Sequence, residues 1–167
     1  MNESKPDEFP TQMLRSLQIV IGALAAGVFA FAVVATVALS NGKGRVPDSP
    51  MMSYLAIGAA ALALVMRDVV PRVMTKAGRK RLANERPVLS VRLMQLHMNR
   101  TIAGAAMFEG AAFFLLTAYL AEGEPWALAG GLAVGGLMAV LQFPTLPRVE
   151  AALAADRQAI EDERAVL

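Results

Sequence analysis

The sequence predicts an all-α membrane protein: four transmembrane helices in two hairpins, a cytoplasmic helical extension over 88–100 and a C-terminal amphipathic helix. Three observations predict it. Of the 167 residues, 56% are hydrophobic, above the roughly 45–50% of a soluble domain, and the mean hydropathy is +0.47. The apolar residues gather in four runs, 17–39, 51–70, 101–121 and 126–146, each meeting the about 20 residues that cross a bilayer. Lys and Arg concentrate in some of the connections and avoid others.

The first run follows a tail, 1–16, that carries Glu3, Asp7 and Glu8. Its uninterrupted core from Ile19 to Leu39 exceeds the about 7–15 residues of a cleavable signal, so a retained helix is expected. The turn "SNGKGRVPDSP" leads into the second run, which ends on Arg67 and Asp68. A long side chain there, that of Arg67, can snorkel to the headgroups.

A loop over 71–100 comes next. It holds a polybasic cluster, Lys76, Arg79, Lys80 and Arg81, a candidate for anionic lipid at about 1 kcal/mol per charge. The same charges also serve as a topology signal. Pro87 suits the first turn of a helix, and the pattern from Val88 through Ala121 is unbroken. The part of this helix outside the membrane carries two apolar stripes, Leu89/Leu93/Leu96 and Val91/Met94/Met98. Between them lie Arg92/Gln95/Asn99 on one side and Ser90/His97 on the other, so His97 is expected on a solvated face. Two stripes call for two partners.

The short "EGEPW" turn closes the second hairpin. After the fourth run, 147–167 reads as an amphipathic helix whose narrow stripe includes Val149, Leu153, Ile160 and Leu167. It can cover one of the two stripes or dock on another protein.

Cytoplasmic connections hold the excess of Lys and Arg. Fourteen of the sixteen fall in the N-terminal tail, the 67–100 stretch and the C-terminal tail, and two in the 41–50 turn. Both termini are therefore expected on the cytoplasmic side of a cytoplasmic (inner) membrane. The tripeptide Pro-Arg-Val recurs at Pro71 and Pro147, each time after a second helix that follows a proline (Pro50, Pro125). Such an echo fits either an old two-helix duplication or chance in a low-complexity sequence.

Lipid tails are as apolar as Leu, so spanning helices associate through small residues and a few polar contacts. Ala127, Gly131, Gly135 and Ala139 recur at i+4 in the fourth run; Gly22 and Ala26 lie in the first, and Gly110 in the third. These ridges allow close packing within the chain or between copies.

Glu109 interrupts the third run about 3 Å from its midpoint, at 1.5 Å per residue. A charge there costs at least ~2.5 kcal/mol. It should be neutral or paired, with Arg67 and Gln142 as the reachable partners. Alternatively it is a proton or cation site, the default reading of an intramembrane acid.

The stretch "AAMFEGAAFFLLTAYL" resembles the carboxylate-bearing helix of the rotary ATP synthase proteolipid, or c, subunit: small residues, then Met107-Phe108-Glu109, then an aromatic and aliphatic run. The resemblance implies an ion-carrying role for Glu109. It covers about 20 residues, and the sequence departs from the family in its long basic loop and in a second run whose only glycine is Gly58.

Several chemistries have no residues to carry them. The chain has no Cys and a single His, which removes thiol and iron–sulfur chemistry and a histidine-rich metal site. No phosphate-binding glycine loop or nucleophile elbow is present. Asn99-Arg100-Thr101 matches the glycosylation sequon but lies on the expected cytoplasmic side. No cofactor, metal or nucleic-acid partner is expected. The function expected is that of a non-enzymatic structural or accessory subunit, with membrane lipids, its own copies or a membrane complex as partners. The alternatives are an ion-carrying oligomer built on Glu109 and a small four-helix membrane enzyme.

Overall fold

A computed structural model describes the backbone of residues 8–42, 51–83 and 90–166. The tail to residue 7, the 43–50 connection with Pro50, Pro87, Leu89 and Leu167 lie outside the described residues, as do the side chains of Lys80 and Arg81. The described chain is all-helical: α1 Glu8–Ser40, α2 Met51–Ala83, α3 Ser90–Glu122, α4 Pro125–Gln142 and α5 Leu146–Val166. Four of these, α1 to α4, are long and apolar enough to cross a membrane.

α3 organises the bundle. It packs against α1, α2 and α4, whereas α1 and α2 share little contact with each other. The first and second runs therefore do not form a tightly packed hairpin; α1 turns instead to α3 and α4. Leu17, Ile21, Ala25, Val28 and Ala32 of α1 meet Phe108, Ala112 and Leu116 of α3 and Met138 of α4 in the main core. Their spacing of three and four residues is the apolar stripe of a helix with one buried face.

Two boundaries differ from expectation. α2 does not stop at residue 70 but continues through Pro71 to Ala83, so much of the expected 71–100 loop is helix. Proline removes one helical hydrogen bond, and neighbouring helices can support the break. Here the support is α3: Leu82 packs on Leu93, and Gly78 admits Leu96 so closely that a Cβ at residue 78 would collide with its Cδ1. α4, in contrast, ends at Gln142, four residues short of the expected end. Pro144 drives Phe143 into an extended conformation (φ −64°, ψ 118°), because the residue before proline is disfavoured in the helical region. The freed Pro144 carbonyl accepts a hydrogen bond of 3.0 Å from Gln18 Nε2.

The two Pro-Arg-Val tripeptides thus take different roles. Pro71 lies inside α2, and Pro147 lies in the first turn of α5.

Beyond the main core, the end of α2 and the starts of α1 and α3 meet α5 in two small cores. One joins Leu82, Leu93 and Ile160, with Leu96 and Leu153. The other joins Leu14, Met94 and Val149, with Met13 and Met98. The two stripes of α3 find two different sets of partners, and α5 contributes to both.

Candidate functional site

Three polar sites stand out, and their burial differs. The first is Glu109. Gly27 of α1 lies beside its carboxylate, at 3.7 Å from where a Cβ would stand. Phe113, one turn on, meets Phe31 edge to face at 5.2 Å. Glu109 is half-buried and has no hydrogen-bond or ion-pair partner among the described residues. Neither expected partner reaches it. Arg67 pairs with Asp68 at 3.4 Å and lies over the Phe108 ring at 4.7 Å, and Gln142 fills the space above Gly104. Sequence depth alone put all three within reach; the directions in which the helices project them differ.

Glu122 forms the second site, at the opposite end of α3. Its carboxylate, 4% exposed, accepts hydrogen bonds from the backbone N–H groups of Met52 (2.6 Å) and Ser53 (2.9 Å) and from the Ser53 hydroxyl. The first N–H groups of a helix have no partner within it, and the positive end of the helix dipole favours an anion. Glu122 therefore caps α2 from another helix and joins the two ends.

The third site lies among α2, α3 and α5. Asp156 is 1% exposed. Its Oδ1 accepts from Arg79 Nε at 3.1 Å and from Nη2 at 2.5 Å, and Arg100 Nη1 stands 3.8 Å from Oδ2. That Oδ2 is buried and has no hydrogen bond among the described residues. Arg100 Nη2 also approaches His97 Nδ1 at 3.1 Å. A guanidinium only donates, so this ring nitrogen accepts and His97 is held as the neutral tautomer with its proton on Nε2. Thr101 donates its hydroxyl to the His97 carbonyl at 2.9 Å.

His97 is thus 8% exposed and not on a solvated face. α5 covers the side of α3 that sequence alone left open. Arg79, placed by sequence in a lipid-facing cluster with Lys76, Lys80 and Arg81, is drawn inward onto Asp156, while Lys76 stays exposed.

Next to this network lies a cleft of about 790 Å³ between α2, α3, the α4–α5 break and the first turns of α5. Its lining includes Arg67, Arg72, Lys76, Arg79, Arg100 and Arg148. Of these cations, sequence reading put Arg67, Lys76 and Arg79 forward as site residues but not Arg72, Arg100 or Arg148, and it also missed Glu122 and Asp156 at the second and third sites. One signal was available: Asp156 falls between Leu153 and Ile160 in the apolar stripe of the tail, spaced three and four residues from them.

The small-residue ridges also separate. Ala127, Gly131 and Gly135 are buried; a Cβ at Gly131 would press on Leu116 at 2.7 Å, and one at Gly135 on Val28 at 2.7 Å. Ala139 is packed at the margin of the same core. Gly22 and Gly110 have open space where a Cβ would stand, and Ala26 is exposed.

No known protein family, curated protein or solved structure matches this chain.

Proposed function

We propose that the chain is a multi-pass protein of the cytoplasmic (inner) membrane with both termini on the cytoplasmic side. In this reading it is a non-enzymatic structural or accessory subunit, acting through helix packing and its cytoplasmic helices. The distribution of Lys and Arg supports the orientation. One observation carries the subunit role: Glu109, near the middle of a candidate span, has no partner in its own chain among the described residues and is half-exposed beside the open face at Gly110.

A helix from a second copy or from another membrane protein can approach closely at Gly110 and supply a donor to the carboxyl group. The native mass of the protein extracted with its lipids tests this. A defined complex that dissociates in Glu109→Gln or Gly110→Leu is expected. A monomer, or a complex indifferent to both substitutions, counts against it.

The same carboxyl group favours one second reading, a proton- or cation-carrying oligomer, which the local likeness to the proteolipid subunit also supports. Ion flux into proteoliposomes that disappears in Glu109→Gln is its expected result; silent wild-type proteoliposomes reject it.

A further inference from the structure

The cationic cleft is distinct from Glu109 and has its own logic. Arg67, Arg72, Lys76 and Arg79 come from successive turns of α2, Arg100 comes from α3, and Arg148 comes from the first turn of α5. Arg72 and Arg148 belong to the two Pro-Arg-Val tripeptides, which the fold brings to one cavity.

Two carboxylates stand against these six cations. Asp156 holds Arg79 and touches Arg100, and Asp68 holds Arg67. Arg72, Lys76 and Arg148 have no carboxylate partner among the described residues. Like charges gathered this way repel one another unless an anion lies between them. The salt-bridged pair of Arg79 and Asp156 forms a rigid wall, and the three unmatched cations form the part that can close on a ligand.

The position of the cleft selects the kind of anion. Its inner wall is made by Thr101 and Gly104 of α3 and by Leu141 and Gln142, the last turn of α4. Leu141 and Gln142 end a candidate membrane span, and Thr101 opens the apolar run of α3 after the polar stretch that ends in Asn99 and Arg100, so the cavity lies at headgroup depth. Exposed apolar side chains stand beside it, Leu141 and Phe143 in the lining, Val69 next to the lining residue Asp68 and Leu146 between the lining residues Pro144 and Arg148. A soluble anion would use none of them. A lipid would place its phosphate on the cations and its acyl chains along these side chains.

We infer that this cleft binds the phosphate of an anionic phospholipid drawn from the adjacent leaflet. The volume, about 790 Å³, is in the range of small-molecule sites and admits a whole glycerophosphate headgroup. The inference rests on the membrane-spanning reading but not on any role of Glu109.

The test uses the full chain in nanodiscs of phosphatidylcholine with or without phosphatidylglycerol, read by native mass spectrometry of the lipid retained. The test variant is Arg72→Gln/Lys76→Gln/Arg148→Gln, three exposed side chains whose loss removes no core contact. Arg157→Gln, outside the cleft, is the control. At about fivefold per charge, the triple variant should retain phosphatidylglycerol on the order of 100-fold more weakly, and the control should match the wild type. Retention should also fall as salt rises.

Equal retention by the triple variant and the wild type overturns the inference. So does inorganic phosphate alone binding the detergent-solubilised protein as tightly as the lipid does, since the site would then be one for a free anion. Failure of the chain to enter nanodiscs at all would instead reject the membrane-spanning reading beneath it.

Discussion

Asp156 and Glu109 are both isolated acids among apolar neighbours on a helix, and the fold treats them in opposite ways. Asp156 is fully buried and held by two arginines from two other helices. Glu109 is half-exposed and has no partner among the described residues. The Asp156 region neutralises its charge within the chain, by hydrogen bonds from Arg79 and an ion pair with Arg100, which is how a buried charge is tolerated even with Oδ2 lacking a hydrogen bond among the described residues. The Glu109 carboxyl group has no contact of that kind among the described residues, and in the proposed subunit role a partner outside the chain would supply one. A site that is internally satisfied gives shape; a site left open at bilayer depth invites a partner or an ion.

The largest expected effect tests the satisfied side. Asp156→Ala leaves Arg79 and Arg100 without their shared anion behind a covered helix. We expect a loss of about 2–3 kcal/mol, below the ~3–5 kcal/mol of breaking a fully buried pair, because the two arginine side chains are 27% and 28% exposed and turn to water. Limited proteolysis and hydrogen exchange of α5 should both accelerate. If α5 stays equally protected, Asp156 does not tie it down.

A second prediction concerns packing. Gly131→Val places side-chain atoms where Leu116 and the Ala112 carbonyl already stand, an overpacking that costs typically about 1–3 kcal/mol. Gly110→Ala meets open space and should leave the melting of the isolated chain unchanged. Thermal unfolding in detergent compares the two directly, and equal effects would mean that α3 packs on both faces alike.

Glu122→Gln comes third. The single amide oxygen can accept from only one of the two N–H groups that the carboxylate oxygens serve separately, the amide NH2 then faces the other, and the charge facing the helix dipole is lost, together a change of roughly 1–2 kcal/mol. The loss should be confined to hydrogen exchange at the start of α2. A loss spread through the bundle would show that Glu122 holds more than the cap.

What was legible in the sequence follows from which interactions are local. The four candidate spans are set by composition over about 20 residues and could be read directly. The two stripes of the α3 extension follow from helical spacing, and both are occupied as pairs of partners, Leu93 with Leu82 and Ile160, Met94 with Leu14 and Val149. The continuation of α2 through Pro71 was not legible, because a local breaking signal is overruled by packing on a helix that comes later in the chain. Likewise the ion pair of Arg79 with Asp156 joins residues 77 apart, and only the position of Asp156 within an apolar stripe hinted at it. At Glu109 the sequence marked the residue but misassigned its partners, since depth in a bilayer says nothing of direction around a helix.

The smallest effect is the most informative about the open side. Because Glu109 has no internal partner among the described residues, Glu109→Gln should change the stability of the isolated chain by less than about 0.5 kcal/mol, the scale of a substitution away from any special contact. The same substitution should matter only where something outside the chain meets the carboxyl group, in the mass of the complex or in ion flux. Measuring unfolding of the monomer and native mass on the same preparation separates the two. A destabilised monomer would mean that Glu109 is satisfied internally after all, as Asp156 is, and the contrast between the two regions would fail. An unchanged monomer with a lost complex would place the unfilled contact of Glu109 at the interface.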